Sequence, residues 1–225
     1  MHLADDLYLI AHDTDGRSRQ PIRATELALA AALLTELALQ HRLTVHNGRL
    51  ILLDRAAPDG ELLTAIHDKL TARPQCRFVR IWLPVLAGVA IDAVGERLCR
   101  AGRAVPTRRR WRRPTRYVPV DVPVALQPRH RLAVRIIRGE PVAGTDAILA
   151  GLVYAAGLAD IVLHDAPPSG LRHLADTVRR LPTPFHDLIA ALGSAVDSTK
   201  RPPHRTSLAI QTARPARIRA LPFAR

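Results

Sequence analysis

The sequence predicts a mainly α-helical, single-domain bundle with a small β-hairpin near residues 43–53 and a short strand or ribbon near residues 115–121. Three observations carry this prediction. Apolar residues recur at three- and four-residue spacing along most of the chain, the period of a helix with one buried face. Residues 25–40 are apolar almost all round, as in a helix at the centre of a core. Asn47-Gly48, set between Leu43, Val45 and Leu50, Leu52, is a strong hairpin signal, because a type I′ turn needs positive φ at both central residues. At 225 residues, 48% hydrophobic and only 4% aromatic, the chain can bury a core built from Leu, Ala, Val and Ile.

Taken in order, residues 3–11 read as a short helix with Leu3, Leu7 and Ile10 on one face, and residues 13–16 as an Asp/Gly turn. Thr25 opens the long central helix, which runs to about Gln40. The hairpin spans residues 41–54. A second turn at Pro58-Asp59-Gly60 leads into a helix carrying Leu62, Leu63, Ile66 and Leu70. Residues 78–102 are helical but broken, with Pro84 ending or kinking the first part and Gly88 weakening the join. Residues 104–124 are Arg-rich and Pro-punctuated and read as an exposed loop with a strand. Short helices follow at 130–138, 145–156 (capped by Thr145 and Asp146), 171–181 and 185–196. Residues 1–198 therefore form the domain, and residues 199–225 form a basic tail whose composition predicts disorder.

The net charge of +13 is concentrated. Residues 100–138 hold twelve arginines against one acid, Asp121, and residues 200–225 hold seven basic residues and no acid. Residues 1–75 are net −2 and residues 139–199 net −4, so two basic patches sit on a near-neutral body. The sharpest of them is Arg108, Arg109, Arg110, Trp111, Arg112 and Arg113, with Arg116 and Tyr117 close behind. Guanidinium forks match phosphate oxygens, and Trp favours the boundary between wet and apolar phases. That pattern predicts docking on an acidic lipid surface. The alternative is non-specific nucleic-acid binding by the same patch and the basic tail. A winged helix-turn-helix at residues 3–54 is disfavoured, because helix 25–40 carries Glu26 and Glu36 and no basic face to enter a groove.

Catalysis, metal and cofactor are not expected. There is no GxSxG around Ser169 or Ser194, no GxGxxG, no phosphate-binding GxxxxGK[ST] and no HExxH. His41 and His46 flank a strand and, five residues apart, face opposite sides. The paired acids Asp5-Asp6 and Asp13/Asp15 are read as helix-start and turn residues. Cys76 and Cys99 form no CxxC and fit a reducing compartment. The acidic N-terminus has no signal-peptide character, and no apolar run of about 18 residues occurs. A cytoplasmic, peripherally membrane-associated protein is expected.

Four stretches carry a family resemblance. They are Leu3-Ala-Asp-Asp-Leu-Tyr-Leu-Ile10 with Asp13-Thr-Asp-Gly16; Ala31-Ala-Leu-Leu-Thr-Glu-Leu-Ala-Leu-Gln-His-Arg-Leu43; Leu52-Leu-Asp54 with Pro58-Asp-Gly-Glu-Leu-Leu63; and Trp82, Glu96-Arg-Leu98 and Gly102, followed by the helix at 147–157. In this order and spacing they resemble the Golgi phosphoprotein 3 family of peripheral phosphatidylinositol 4-phosphate binders, over roughly residues 3–197. The resemblance implies a single mainly helical domain without a cofactor, an acidic membrane lipid partner, a protein client and self-association. The family's eukaryotic members hold the lipid phosphate with a Trp, an Arg and an Arg pair. By a gap-free reading those positions here are Pro21, Ala30, Asp92 and Gly95, so none of the four ligands carries over. Arg23 and the pair Arg97 and Arg100, which share a helix face, are the substitutes lying nearest.

Overall fold

The structure is a computed structural model that describes residues 2–54, 56–107, 115–164 and 166–200. The chain order is α1 (Leu3–Ala11), α2 (Ile22–Leu39), β1 (Leu43–His46), β2 (Arg49–Leu52), α3 (Glu61–Thr71), α4 (Val79–Arg100), β3 (Ala104–Thr107), β4 (Arg116–Pro119), α5 (Val122–Ile137), α6 (Gly144–Ala156), α7 (Ala159–Val162), α8 (Pro168–Arg179) and α9 (Thr183–Lys200). The predicted fold class holds: a mostly helical body with two small antiparallel hairpins.

The central helix is α2, buried on nearly every side from Ala24 to Ala38. It packs against α1, α4, α6 and α9. Its alanines let neighbouring helices approach closely, while Leu29, Leu33, Leu34 and Leu37 fill the gaps between them. Helices α2 and α4 run parallel. Arg23 and Arg80 line one cleft near their starts, and Glu36 pairs with Arg97 near their ends.

The hairpin β1–β2 forms at the expected place. Asn47 has φ 52° and Gly48 φ 69°, and the register pairs His46 with Arg49 and Leu43 with Leu52. Leu43, Val45 and Leu50 turn inward, and Asp187 on α9 accepts a hydrogen bond from the Asn47 amide.

Two expectations need correction. The first is that α4 is one helix, not two. Pro84 is its sixth residue and lies on the exposed face, so the missing N–H leaves only the Arg80 carbonyl without its helical donor, at a point open to water. Gly88 is also exposed and costs propensity alone. The second is that α5 starts at Val122, eight residues before the predicted start. Asp121 caps it by accepting from the Val124 amide at 3.1 Å, and Pro123 occupies the first turn, where proline suits a helix. The strand expected near 115–121 is half of a hairpin, because β4 pairs with β3 from Ala104↔Pro119 to Thr107↔Arg116. The proposed tail beyond Lys200 lies outside the described residues. Among the described residues, no helix is long and apolar enough to cross a membrane.

Candidate functional site

Arg108, Arg109, Arg110, Trp111, Arg112 and Arg113 lie outside the described residues. The strands on either side of them are described, and they are tied to the body through Tyr117. Its ring lies on Gly95 of α4 so closely that a Cβ at that glycine would come within 2.2 Å of it. The Tyr117 hydroxyl donates to Asp92 at 3.3 Å, and the Tyr8 hydroxyl donates to the Tyr117 carbonyl at 3.4 Å. Burial, with Asp92 and Glu96 close by, pushes the Tyr117 hydroxyl up to about 12.

The same contacts decide the fate of the head-group positions. Ala30 is fully buried, Gly95 lies under the Tyr117 ring, and Asp92 places a carboxylate there. Pro21 only begins α2. Positions 92 and 95, where the resemblance puts an arginine pair, thus hold an acid and a glycine covered by the Tyr117 ring.

The three arginines proposed as substitutes are not brought together. Arg97 is spent inside the protein. Its Nε donates to Asp5 Oδ1 at 2.8 Å, and its two terminal nitrogens reach Glu36 at 2.8 and 3.1 Å. Glu36 also accepts from the Ala4 amide at 2.8 Å, which ties α1 to α2. Arg100 points to Glu61 at the start of α3. Arg23 pairs with Glu26 at 3.0 Å near the start of α2. The thirteen residues from Arg23 to Glu36 put it roughly 20 Å from Arg97 along the helix.

Asp5 and Asp6 are more than helix-start residues: both are buried ion-pair partners. Arg131 of α5 reaches Asp6 at 3.2 Å and Asp146 at 2.9 Å, joining α1, α5 and α6. Burial raises the carboxyls of Asp5 and Asp6 above the ordinary range and outweighs the opposing pull of Arg97 and Arg131. Asp5 also shares one guanidinium with a second buried carboxylate, Glu36, whose charge raises it further. Asp13 behaves as a turn residue, accepting from the Asp15 and Arg17 amides. His12 is buried, donates Nδ1–H to the Tyr8 carbonyl at 2.9 Å and stacks on the Tyr8 ring at 3.9 Å. Burial lowers it to about 4.

For catalysis the described residues offer little. Ser194 donates its hydroxyl to the Ala190 carbonyl of its own helix, and no group of three His, Cys, Asp or Glu is placed to hold a metal.

A basic cluster not apparent from the sequence forms around Phe78. The guanidinium carbons of Arg49 and Arg80 lie 5.5 and 5.0 Å from its ring centroid. Arg73 and Arg77 stand beside them, and all four arginines are exposed with no acidic partner among the described residues. They come from β2, the α3–α4 connection and α4, so only the fold gathers them. The one sequence signal was the excess of arginine over acid between residues 73 and 80.

A family model described as Golgi phosphoprotein 3 (GPP34) matches residues 3–199, which span every helix described above except the final residue of α9. No curated protein matches the chain.

Proposed function

Because this chain belongs to the Golgi phosphoprotein 3 family, we propose that it is a non-enzymatic peripheral membrane adaptor that docks on acidic phospholipid head groups. The observation that carries this reading is the clustering of charge. Five arginines and Trp111 fall within residues 108–113, on an otherwise near-neutral domain of a family implied to bind lipid and protein partners. Each basic side chain at an anionic bilayer contributes about 1 kcal/mol, so the patch supplies roughly 5 kcal/mol, a several-thousand-fold partition toward the surface. Tyr117, held on Gly95 and Asp92, anchors one of the two strands that lead into it.

The attraction is to negative surface charge in general rather than to one head group. Asp92 and the Tyr117 ring occupy the place of the family's arginine pair, and Arg97 is committed to Asp5 and Glu36. The segment after residue 199 adds a second, independent basic element outside the domain.

Vesicle co-sedimentation tests the reading. Vesicles of neutral lipid, of neutral lipid with phosphatidylserine, and of phosphatidylinositol 4-phosphate at matched charge are compared, with DNA as competitor. Binding to both anionic vesicles at similar strength, resistant to DNA and abolished by Arg→Glu changes at residues 108–113, is the expected result. Binding unchanged by those substitutions would sink it. Vesicle binding absent but DNA binding tight would assign the patch to nucleic acid instead.

A further inference from the structure

A second cleft also flanks the start of α4, at the opposite end of that helix from the β3–β4 hairpin. It has a volume of about 530 Å³, within the roughly 300–1,000 Å³ of ordinary ligand sites. Its floor is apolar: Leu50, Leu70 and the Trp82 indole, each at most 6% exposed. Its rim carries the guanidinium groups of Arg49, Arg73 and Arg77 beside the His46 imidazole, and among the described residues no acidic side chain lines it. None of the three arginines has an ion-pair partner among the described residues.

The walls are fixed. The Leu50 amide donates to the Arg77 carbonyl at 2.7 Å, the Val79 amide to the Gly48 carbonyl at 3.0 Å, and Trp82 Nε1 to the Cys76 carbonyl at 2.6 Å. These bonds tie β2, the α3–α4 connection and the start of α4 into one pre-organised trough, so little ordering entropy opposes a ligand. Because the Leu50 amide points away from β1, the ladder alternation sends the Leu52 amide the same way, and no described residue accepts from it.

We propose that this cleft binds an acidic, extended peptide segment of a client protein, with one apolar side chain seated over Trp82 and carboxylates paired to Arg49, Arg73 and Arg77. Charge complementarity selects the occupant. The chain's own residues 201–225 carry six arginines and no acid, so they are repelled. A bilayer is flat and does not reach a floor this deeply buried. A short strand in the trough meets the free edge amide of Leu52, the apolar floor and the unpaired guanidinium forks together. The thirteen helical steps of α4 from Trp82 to Gly95 hold the peptide and the hairpin that carries the proposed lipid patch about 20 Å apart along the helix. Both ends can then be occupied at once.

The full-length chain is titrated into a fluorescein-labelled peptide of alternating glutamate and leucine, with a lysine–leucine peptide of equal length as control, and anisotropy is read. The expected result is saturable binding of the acidic peptide only. Arg49→Glu with Arg77→Glu weakens it about tenfold or more and leaves anionic-vesicle binding unchanged. In a Trp111→Phe background the same titration shifts the Trp82 emission, which reports that the cleft itself is filled. No saturable binding of the acidic peptide, equal binding of the basic one, or unaltered affinity in the double variant overturns the proposal. A double variant that loses vesicle binding with peptide affinity intact also overturns it, assigning the face to lipid. Loss of vesicle binding on Arg→Glu changes at 108–113, with peptide binding intact, bears on the membrane reading alone.

Discussion

Arg97 serves Asp5 and Glu36 at once, so two carboxylates share one guanidinium inside the core. Removing the cation strands both acids. Arg97→Met should cost about 3–5 kcal/mol in urea unfolding, whereas replacing all three members by apolar residues of similar volume should cost less than that single change. His12 gives a pH prediction. Its ordinary value is 6.5 and its folded value about 4, so between them the unfolded chain binds the extra proton. Its contribution is therefore full above pH 6.5 and is lost as pH falls toward 4, about 3 kcal/mol in all. Asp5 and Asp6, raised by burial, work in the opposite sense and favour folding as pH drops. Comparing the wild type with His12→Phe, which keeps an aromatic ring on Tyr8, isolates the histidine: the variant should show a flatter fall in urea midpoint over that window. None of this pairing was legible in the sequence. Arg97 and Arg100 do share a helix spacing, yet what occupies each is set by acids 92 and 39 residues away.

At the scale of elements, reading by period worked where the pattern was uninterrupted, as in α1, α2, α6 and the Asn47-Gly48 hairpin. It failed where proline was taken as punctuation. Pro84 and Pro128 sit inside helices, and Pro123 helps to start one. Proline forbids one donor, and the cost depends on whether the freed carbonyl is wet, which only the packing reveals. Pro84→Ala should raise stability by about 1–3 kcal/mol, because the exposed site accepts a methyl group and the Arg80 carbonyl regains its donor; thermal melts check this. One of the contacts that hold the hairpin β3–β4 to the body is the close approach of the Tyr117 ring to Gly95. Gly95→Ala should destabilise by about 1–3 kcal/mol by driving the Tyr117 ring away from α4. In a Tyr117→Ala background the same substitution should cost much less, and a double-mutant cycle measures the difference. The hairpin's strand content was half visible in Tyr117, Val118 and Val120; its partner strand, Ala104–Thr107, contains a proline and was read as loop.

Across the whole molecule, the charge map explains why the proposed lipid patch is visible in the sequence while the proposed peptide cleft is not. Residues 108–113 are contiguous, so composition alone exposes them. Arg49, Arg73 and Arg77 are separated by stretches of chain and meet only because β2 docks on the start of α4. Surface attraction of this kind is screened over about 8 Å at physiological salt, so vesicle binding should fall steeply from low to physiological ionic strength, as co-sedimentation will show. A chain ending at Lys200 should melt at the same temperature as the full chain, because the family match ends with the helical body, and should bind vesicles more weakly. The shared guanidinium has a consequence beyond its energy. A core of leucine and alanine, with few aromatics, has little shape of its own. Sliding α2 by one turn along α4 would bring apolar against apolar almost as well. Glu36, gripped by Arg97 and by the Ala4 amide, allows only one alignment of three helices. This polar contact thus acts as the index mark from which the positions of the apolar residues of α2 are counted.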